Sequence, residues 1–218
     1  MTGAPPKAVI FDWDNTLVDS WQTIHDALNE TLAAMGQPLW TLDQTKARAR
    51  HSLRDSFPTL FGDDWDLARQ HYLTAFEAIH LDRLRAFAGA EAMLEALHGA
   101  GIHLALVSNK TGRILRREVA SLGWDRYFGM VVGAGDAAFD KPHRAPVDLA
   151  LEGSGIAPGE DVWFVGDTAT DLECARNAEC VPVLFLPGGT VDPSEFALLP
   201  PDRRFIEFPE LRAAILPS

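Results

Sequence analysis

Two aspartates, Asp12 and Asp14, stand one residue apart where the apolar run Ala8–Phe11 ends in "AVIFDWDNTLVDS". Like charges so close repel, so folding alone gives no reason for the pair. Alternate residues of an extended segment point the same way, and both carboxylates can therefore face one reacting centre. Other polar residues follow other short apolar runs: Ser108 and Asn109 in "VSNK", Lys141 in "FDKP", Asp167 and Asp171 in "FVGDTATD". Carboxylates, a hydroxyl and a lysine gathered at one point suit phosphoryl transfer, where positioning and charge neutralisation carry most of the catalysis. One carboxylate attacks phosphorus; a second protonates the leaving oxygen and later activates water. Two unit charges 4 Å apart cost roughly 4 kcal/mol at an effective dielectric near 20. A divalent cation is therefore expected, and all-oxygen donors favour Mg2+. Lys141 offsets more of the charge.

The elements that must position these residues are legible as short continuous apolar runs. Strands are predicted at Ala8–Phe11, Ile102–Val107, Met130–Val132, Val162–Val165 and Val181–Leu186, with a weaker one near Arg203–Glu207. Continuous rather than alternating apolar character suits strands covered on both faces. Helical stripes lie between them, such as Ala90, Met93, Leu94 and Leu97, or Ile114, Leu115, Val119 and Leu122 with Gly123 as its stop. Such alternation predicts an α/β, doubly wound, Rossmann-like parallel sheet with its site at the C-terminal strand ends.

From about Leu17 to Arg85 the alternation lapses into helical patterns alone. Helices are expected over Asp19–Met35, from Thr41 to about Arg50 with the capping box Thr41–Gln44, and over Asp64–His80. A block of that length is not a βα connection, normally two to six residues long. The expected organisation is an α/β core from 1–16 and 86–218, with 17–85 inserted as a helical cap.

Each polar feature has an ordinary structural explanation when taken alone. Asp-x-Asp after a strand suits a solvated turn, Ser108 or Asn109 an N-cap, Lys141 a surface loop, and Asp167 with Thr168 a helix start. Four such coincidences in this order, each at a strand end, are improbable. The stretches "FDWDNTLVDS", "VSNKT", "DKPHRAP" and "VGDTATDLECA" resemble the four ordered motifs of the haloacid dehalogenase superfamily. The resemblance covers nearly the whole chain and is nearest to phosphoglycolate-phosphatase-like hydrolases with a helical cap after the first motif. It implies Asp12 as nucleophile and Asp14 as general acid/base. Ser108 with Asn109 would hold the phosphoryl group, and Lys141 would bridge it to Asp12. Mg2+ would take the Asp12 carboxylate, the Asp14 backbone carbonyl and Asp167, with Asp171 nearby orienting water or Lys141. Asn15 and Thr16 join the expected substrate-binding residues.

Asn15 stands where the family usually has Gly; if that position needs a left-handed backbone, Asn is the next most tolerant residue. Trp13 is expected to back the site as a packed hydrophobe. In the cap, "RARHSLRDSFPTLFG" concentrates Arg48, Arg50, His51 and Arg54 in a chain of net charge -12. The dipole of the preceding helix accounts for Arg48 and Arg50. In the capped phosphatases and mutases that the chain resembles, the corresponding segment between helices faces the site, and the resemblance thereby implies Arg54, and after it His51, as contacts for an anionic leaving group.

That charge argues against nucleic acid or an anionic membrane as partner, since both need a basic face. Cys174 and Cys180 are expected to be reduced, packed thiols. No leader pattern opens the chain and no apolar run reaches the ~18 residues of a membrane span, so a cytoplasmic monomer or homodimer acting on a small phosphorylated metabolite is expected. Other chemistries on the same scaffold are a dehalogenase or a phosphonate-cleaving enzyme, against which Asp14 counts, and a sugar phosphomutase. A non-catalytic phospho-ligand-binding protein is the alternative from another class.

Overall fold

The computed structural model describes residues 5–49, 51–189 and 196–216. The chain divides into two compact units, Met1–Val18 with Ala86–Ser218, and Asp19–Arg85.

The first unit is built on six parallel strands: β1 (Ala8–Phe11), β2 (His103–Thr111), β3 (Met130–Ala134), β4 (Val162–Gly166), β5 (Val181–Phe185) and β6 (Arg203–Phe205). Their order across the sheet is β3-β2-β1-β4-β5-β6. The chain therefore winds outward from β1 to β3, returns to β1's other side, and winds outward again. This doubly wound order has its topological switch between β1 and its two neighbours, where the crevice for a ligand opens beyond the carboxyl ends. All six predicted strands exist, and the helices between them are α5 (Ala90–Gly99), α6 (Gly112–Ser121), α7 (Ala145–Ala150), α8 (Ala169–Asn177) and α9 (Phe208–Ile215).

Strand β1 is sealed on both faces, which explains its unbroken apolar run: all four residues are fully buried. Ala8 and Ile10 join Val162 and Phe164 of β4 in a cluster capped by Val147 and Ala150 of α7 and Cys174 and Ala175 of α8. Burying one such side chain contributes roughly 1.5–3 kcal/mol, so β1 is a firm base for whatever follows it. Cys174 and Cys180 are both buried free thiols in this cluster.

Strand β2 runs further than predicted, to Thr111 instead of Val107, so Ser108, Asn109 and Lys110 lie within it. Pairing with β3 shifts register between Val107 and Thr111. Polar residues at a strand's end give no apolar signal, which is why the sequence pattern stops short there.

The second unit is helical: α1 (Trp21–Ala34), α2 (Leu42–Arg48), α3 (Leu53–Phe61) and α4 (Trp65–Arg83). The predicted capping box of α2 is present, with the Gln44 amide N–H bonded to the Thr41 hydroxyl and the Thr41 N–H bonded to the Gln44 side chain. Helix α3 carries Pro58 in its interior. Leu28, Leu32, Phe57, Phe61 and Ala68 form its core, with Trp40 and Trp65 packed against them. Those two tryptophans are packing residues. Among the described residues no helix is long and apolar enough to cross a membrane.

Candidate active site

Asp12 directly follows β1, and its backbone N–H donates to the Val165 carbonyl at 2.8 Å, continuing the ladder to β4. The next turn demands an unusual backbone. Asn15 has φ of 62°, a left-handed conformation that Asn tolerates better than most residues. Its N–H donates to the Val18 carbonyl at 2.7 Å and closes the turn.

Asp167 follows β4, and Thr168 and Asp171 open α8 as a capping box. The Asp171 Oδ2 accepts from the Thr168 N–H at 2.9 Å and from its hydroxyl at 2.6 Å. The turn can be this tight because residue 166 is glycine; a Cβ there would lie 2.3 Å from the Asp171 Cγ. The other Asp171 oxygen, Oδ1, accepts from Lys141 Nζ at 2.6 Å. Lys141 Nζ also donates to Asp12 Oδ1 at 2.7 Å.

Lys141 arrives on the loop between β3 and α7, and Asn109 fixes its backbone. The Asn109 amide donates to the Lys141 carbonyl at 3.1 Å and accepts from the Lys141 N–H at 3.0 Å. Both polar atoms of Asn109 are thus engaged with the loop that carries the lysine. Ser108, buried at the end of β2, accepts a hydrogen bond from the Lys110 N–H at 3.3 Å. Thr16 Oγ1 lies 3.4 Å from Asp167 Oδ1.

The site is dry and highly charged. The side chains of Lys141, Asp12 and Asp171 are 4%, 8% and 1% exposed. Burial pushes the Asp12 carboxyl up to about 6 against the pull of Lys141, and Asp171 adds to the rise. Burial pulls the Lys141 ammonium down, but Asp12 and Asp171 outweigh it and hold the group well above its ordinary value. Among the described residues, Asp12, Asp167 and Asp171 form the group suited to a metal ion, with ligand oxygens within 4.8 Å of one another. Buried, all-oxygen donors of this kind fit a hard divalent cation.

The Asp14 side chain turns to a different partner. Its Oδ1 accepts from Lys110 Nζ at 2.7 Å, Lys110 also donates to Glu118 Oε2 at 2.6 Å, and the Trp13 indole N–H donates to the same Glu118 oxygen at 2.6 Å. Trp13 is fully buried, as expected of a backing residue, but its indole N–H adds a polar link that sequence reasoning missed along with Lys110 and Glu118. One signal was there to read: Glu118 falls on the apolar stripe of α6 among Ile114, Leu115 and Val119, where a carboxylate is seldom buried without a partner.

Within the helical unit, His51 and Arg54 are exposed, Arg54 in the first turn of α3. Arg48 packs its guanidinium 4.8 Å from the centre of the Trp40 ring. Arg50 lies outside the described residues.

Known proteins resemble this chain in sequence and fold. The profile of the family "haloacid dehalogenase-like hydrolase" matches residues 9–184. A phosphoglycolate phosphatase of Xylella fastidiosa is 33% identical over 181 residues, 81% of this chain and 79% of that one. A phosphoglycolate phosphatase of Xanthomonas campestris is 31% identical over 177 residues, 79% and 80% of the two chains. A haloacid dehalogenase-like hydrolase from Streptococcus pneumoniae superimposes with a TM-score of 0.83 at 25% identity, covering 98% of this chain and 99% of that one. A hydrolase of the same class from Bacteroides fragilis shares the fold with a TM-score of 0.86 at 24% identity, covering 94% and 99%. The chain belongs to the haloacid dehalogenase-like hydrolase family and is an enzyme of its phosphatase type.

Proposed function

We propose that the enzyme hydrolyses a small phosphomonoester, of the phosphoglycolate, sugar-phosphate or nucleotide class, through a phosphoryl group carried on Asp12. One observation carries this reading: Lys141 bonds both Asp12 and Asp171 at the carboxyl ends of β1 and β4, and a carboxylate oxygen of the buried Asp167 lies within 4.8 Å of theirs. Asp12 is the nucleophile, and its oxygen bonds to phosphorus as the ester P–O bond breaks. The leaving alkoxide takes the proton of Asp14. Asp14 then takes a proton from water, the water oxygen attacks the phosphorus, and the Asp12–phosphorus bond breaks to release inorganic phosphate. Lys141 neutralises Asp12 and the transferring oxygens, while Asp171 and Asn109 hold that lysine in place. Ser108 offers its hydroxyl to the phosphoryl group.

Asp12 and Asp167, with the Asp14 backbone carbonyl, would hold Mg2+, and Asp171 closes the group. When bound, the cation supplies further neutralisation of the carboxylates and the phosphoryl oxygens. Asn15 and Thr16 shape the loop under the substrate. The helical unit 19–85 acts as a cap that reads the leaving group, with Arg54 and His51 as its cationic contacts.

A phosphate-release screen over small phosphomonoesters, with and without Mg2+, tests the reading. Metal-dependent release from at least one compound is expected; no release from any of them with Mg2+ present counts against it.

A further inference from the structure

The chain from Trp13 to Asp14 through Glu118 and Lys110 is a buried ionic cluster that the phosphoryl-transfer reading leaves without a task. Lys110 and Glu118 side chains are 6% and 1% exposed, and Asp14 is 17% exposed. Burial pulls the Lys110 ammonium down, yet Asp14 and Glu118 more than compensate and hold it above its ordinary value. Ion pairs this dry are a poor means of stabilisation, because desolvation absorbs most of the Coulomb gain and apolar replacements of similar volume pack as well or better. Helix α6 presents apolar neighbours on either side of Glu118, so an apolar residue there would simply extend its buried stripe.

Each link restrains the next. Trp13 is wedged edge-on against Trp124, with ring centres 5.8 Å apart, and both rings are buried. Its indole N–H fixes one oxygen of Glu118, the same oxygen fixes Lys110 Nζ, and Lys110 fixes Asp14 Oδ1. The carboxylate at the end of this chain is the one group that must move a proton twice in each turnover.

We infer that Lys110 is a positioning residue for Asp14, held by Glu118 and Trp13 so that the carboxylate meets the leaving-group oxygen in one orientation. The inference rests on the acid/base role given to Asp14 above. Proton transfer requires hydrogen-bond reach in a defined geometry, and a loosened carboxylate loses rate in proportion to how much the leaving group needs its proton. The bonds described for Lys110 run to Asp14 and Glu118, so its effect is expected on the protons that Asp14 moves.

The test compares two esters of similar size and no extra charge. Benzyl phosphate releases an alkoxide that must be protonated; 4-nitrophenyl phosphate releases a stable phenolate. For Lys110→Met we expect kcat/KM to fall about thirtyfold or more on benzyl phosphate and less than threefold on 4-nitrophenyl phosphate, with KM for each changing less than twofold. Lys110→Arg, which keeps the charge, should recover part of the benzyl phosphate loss. Lys110→Met/Glu118→Gln removes one charge of each sign, keeps an acceptor for Trp13, and carries the same comparison if the single variant is unstable. Equal losses on both esters, or no loss on either, in folded protein would overturn the inference. Asp14→Asn, measured alongside, separates it from the reading beneath: if that variant shows no discrimination between the esters, the acid/base assignment itself fails. If Asp14→Asn discriminates and neither Lys110 variant does, only the role of Lys110 is lost.

Discussion

Lys141 reaches Asp12 at 2.7 Å and Asp171 at 2.6 Å; Lys110 reaches Asp14 at 2.7 Å and Glu118 at 2.6 Å. In each case a buried ammonium joins one aspartate of the Asp12-x-Asp14 pair to a second carboxylate that holds the lysine still. What stands behind the second carboxylate differs. Asp171 is fixed by its own helix cap at Thr168, three residues away, whereas Glu118 is fixed by the indole of Trp13, 105 residues distant. The first centre also has Asp167 beside it and so gathers carboxylates suited to a metal ion; the second ends at Asp14, a more exposed side chain. Two nearly identical grips can thus serve different tasks. On the proposed mechanism, one concentrates charge around the atom that attacks phosphorus, and the other orients a carboxylate that carries a proton.

The comparison breaks most sharply at Asp12. Asp12→Asn should leave the protein folded and reduce phosphate release to below about 1% of wild type, a loss of about 2.7 kcal/mol or more in transition-state stabilisation. Retention of more than a few per cent, in protein with an unchanged melting curve, would remove Asp12 from the role of nucleophile.

Metal removal comes next, because the carboxylates that would hold the ion, Asp12, Asp167 and Asp171, belong to the Lys141 centre. EDTA is expected to stop turnover, and added Mg2+ to restore it and raise the melting temperature by linkage, by about 2.7 kcal/mol of stability at a hundredfold excess over Kd. Ca2+ should raise the melting temperature yet support turnover poorly, since it relaxes octahedral geometry. Full activity in EDTA would leave Asp12, Asp167 and Asp171 as a purely protein-bonded cluster.

A smaller effect is expected outside the core. Arg54→Ala should lower kcat/KM about tenfold, roughly 1.4 kcal/mol, on a substrate whose leaving group carries a carboxylate. On 4-nitrophenyl phosphate it should change less than twofold. Equal changes on both would make Arg54 a surface residue of α3, and the helical unit would then read its substrate through other side chains.

The mildest variant lies at the back of the second grip. Glu118→Gln keeps an oxygen for Trp13 and Lys110 but removes the charge, so a fall of about threefold on benzyl phosphate is expected, with stability changed by about 1 kcal/mol. A loss as deep as that of Lys110→Met would show that the charge at position 118, and not the hydrogen bond alone, sets the lysine.

The strands were legible because burial on both faces leaves an unbroken apolar run; Ala8–Phe11 is predicted and observed with the same limits. The Thr41 and Thr168 caps were legible because each bond joins residues three apart, and local chemistry is written locally. The end of β2 was not, since "SNKT" is polar and its extended form depends on pairing with β3. Helix α3 was obscured by Pro58, which lowers helix propensity although a packed face still holds the helix.

By itself the sequence determined that a parallel sheet would form and that Asp12, Ser108 and Asp167 would sit at or just beyond strand ends, with Lys141 ahead of a helix, because apolar periodicity and strand-end polarity are local properties. The motif resemblance already implied Lys141 beside Asp12 and Asp171; only the tertiary structure decided that Lys110 would hold Asp14. Asp14 and Lys110 are separated by 96 residues, and Asp12 and Lys141 by 129. No pattern along the chain states the Asp14–Lys110 pairing; it follows from strand order, which brings β2 beside β1.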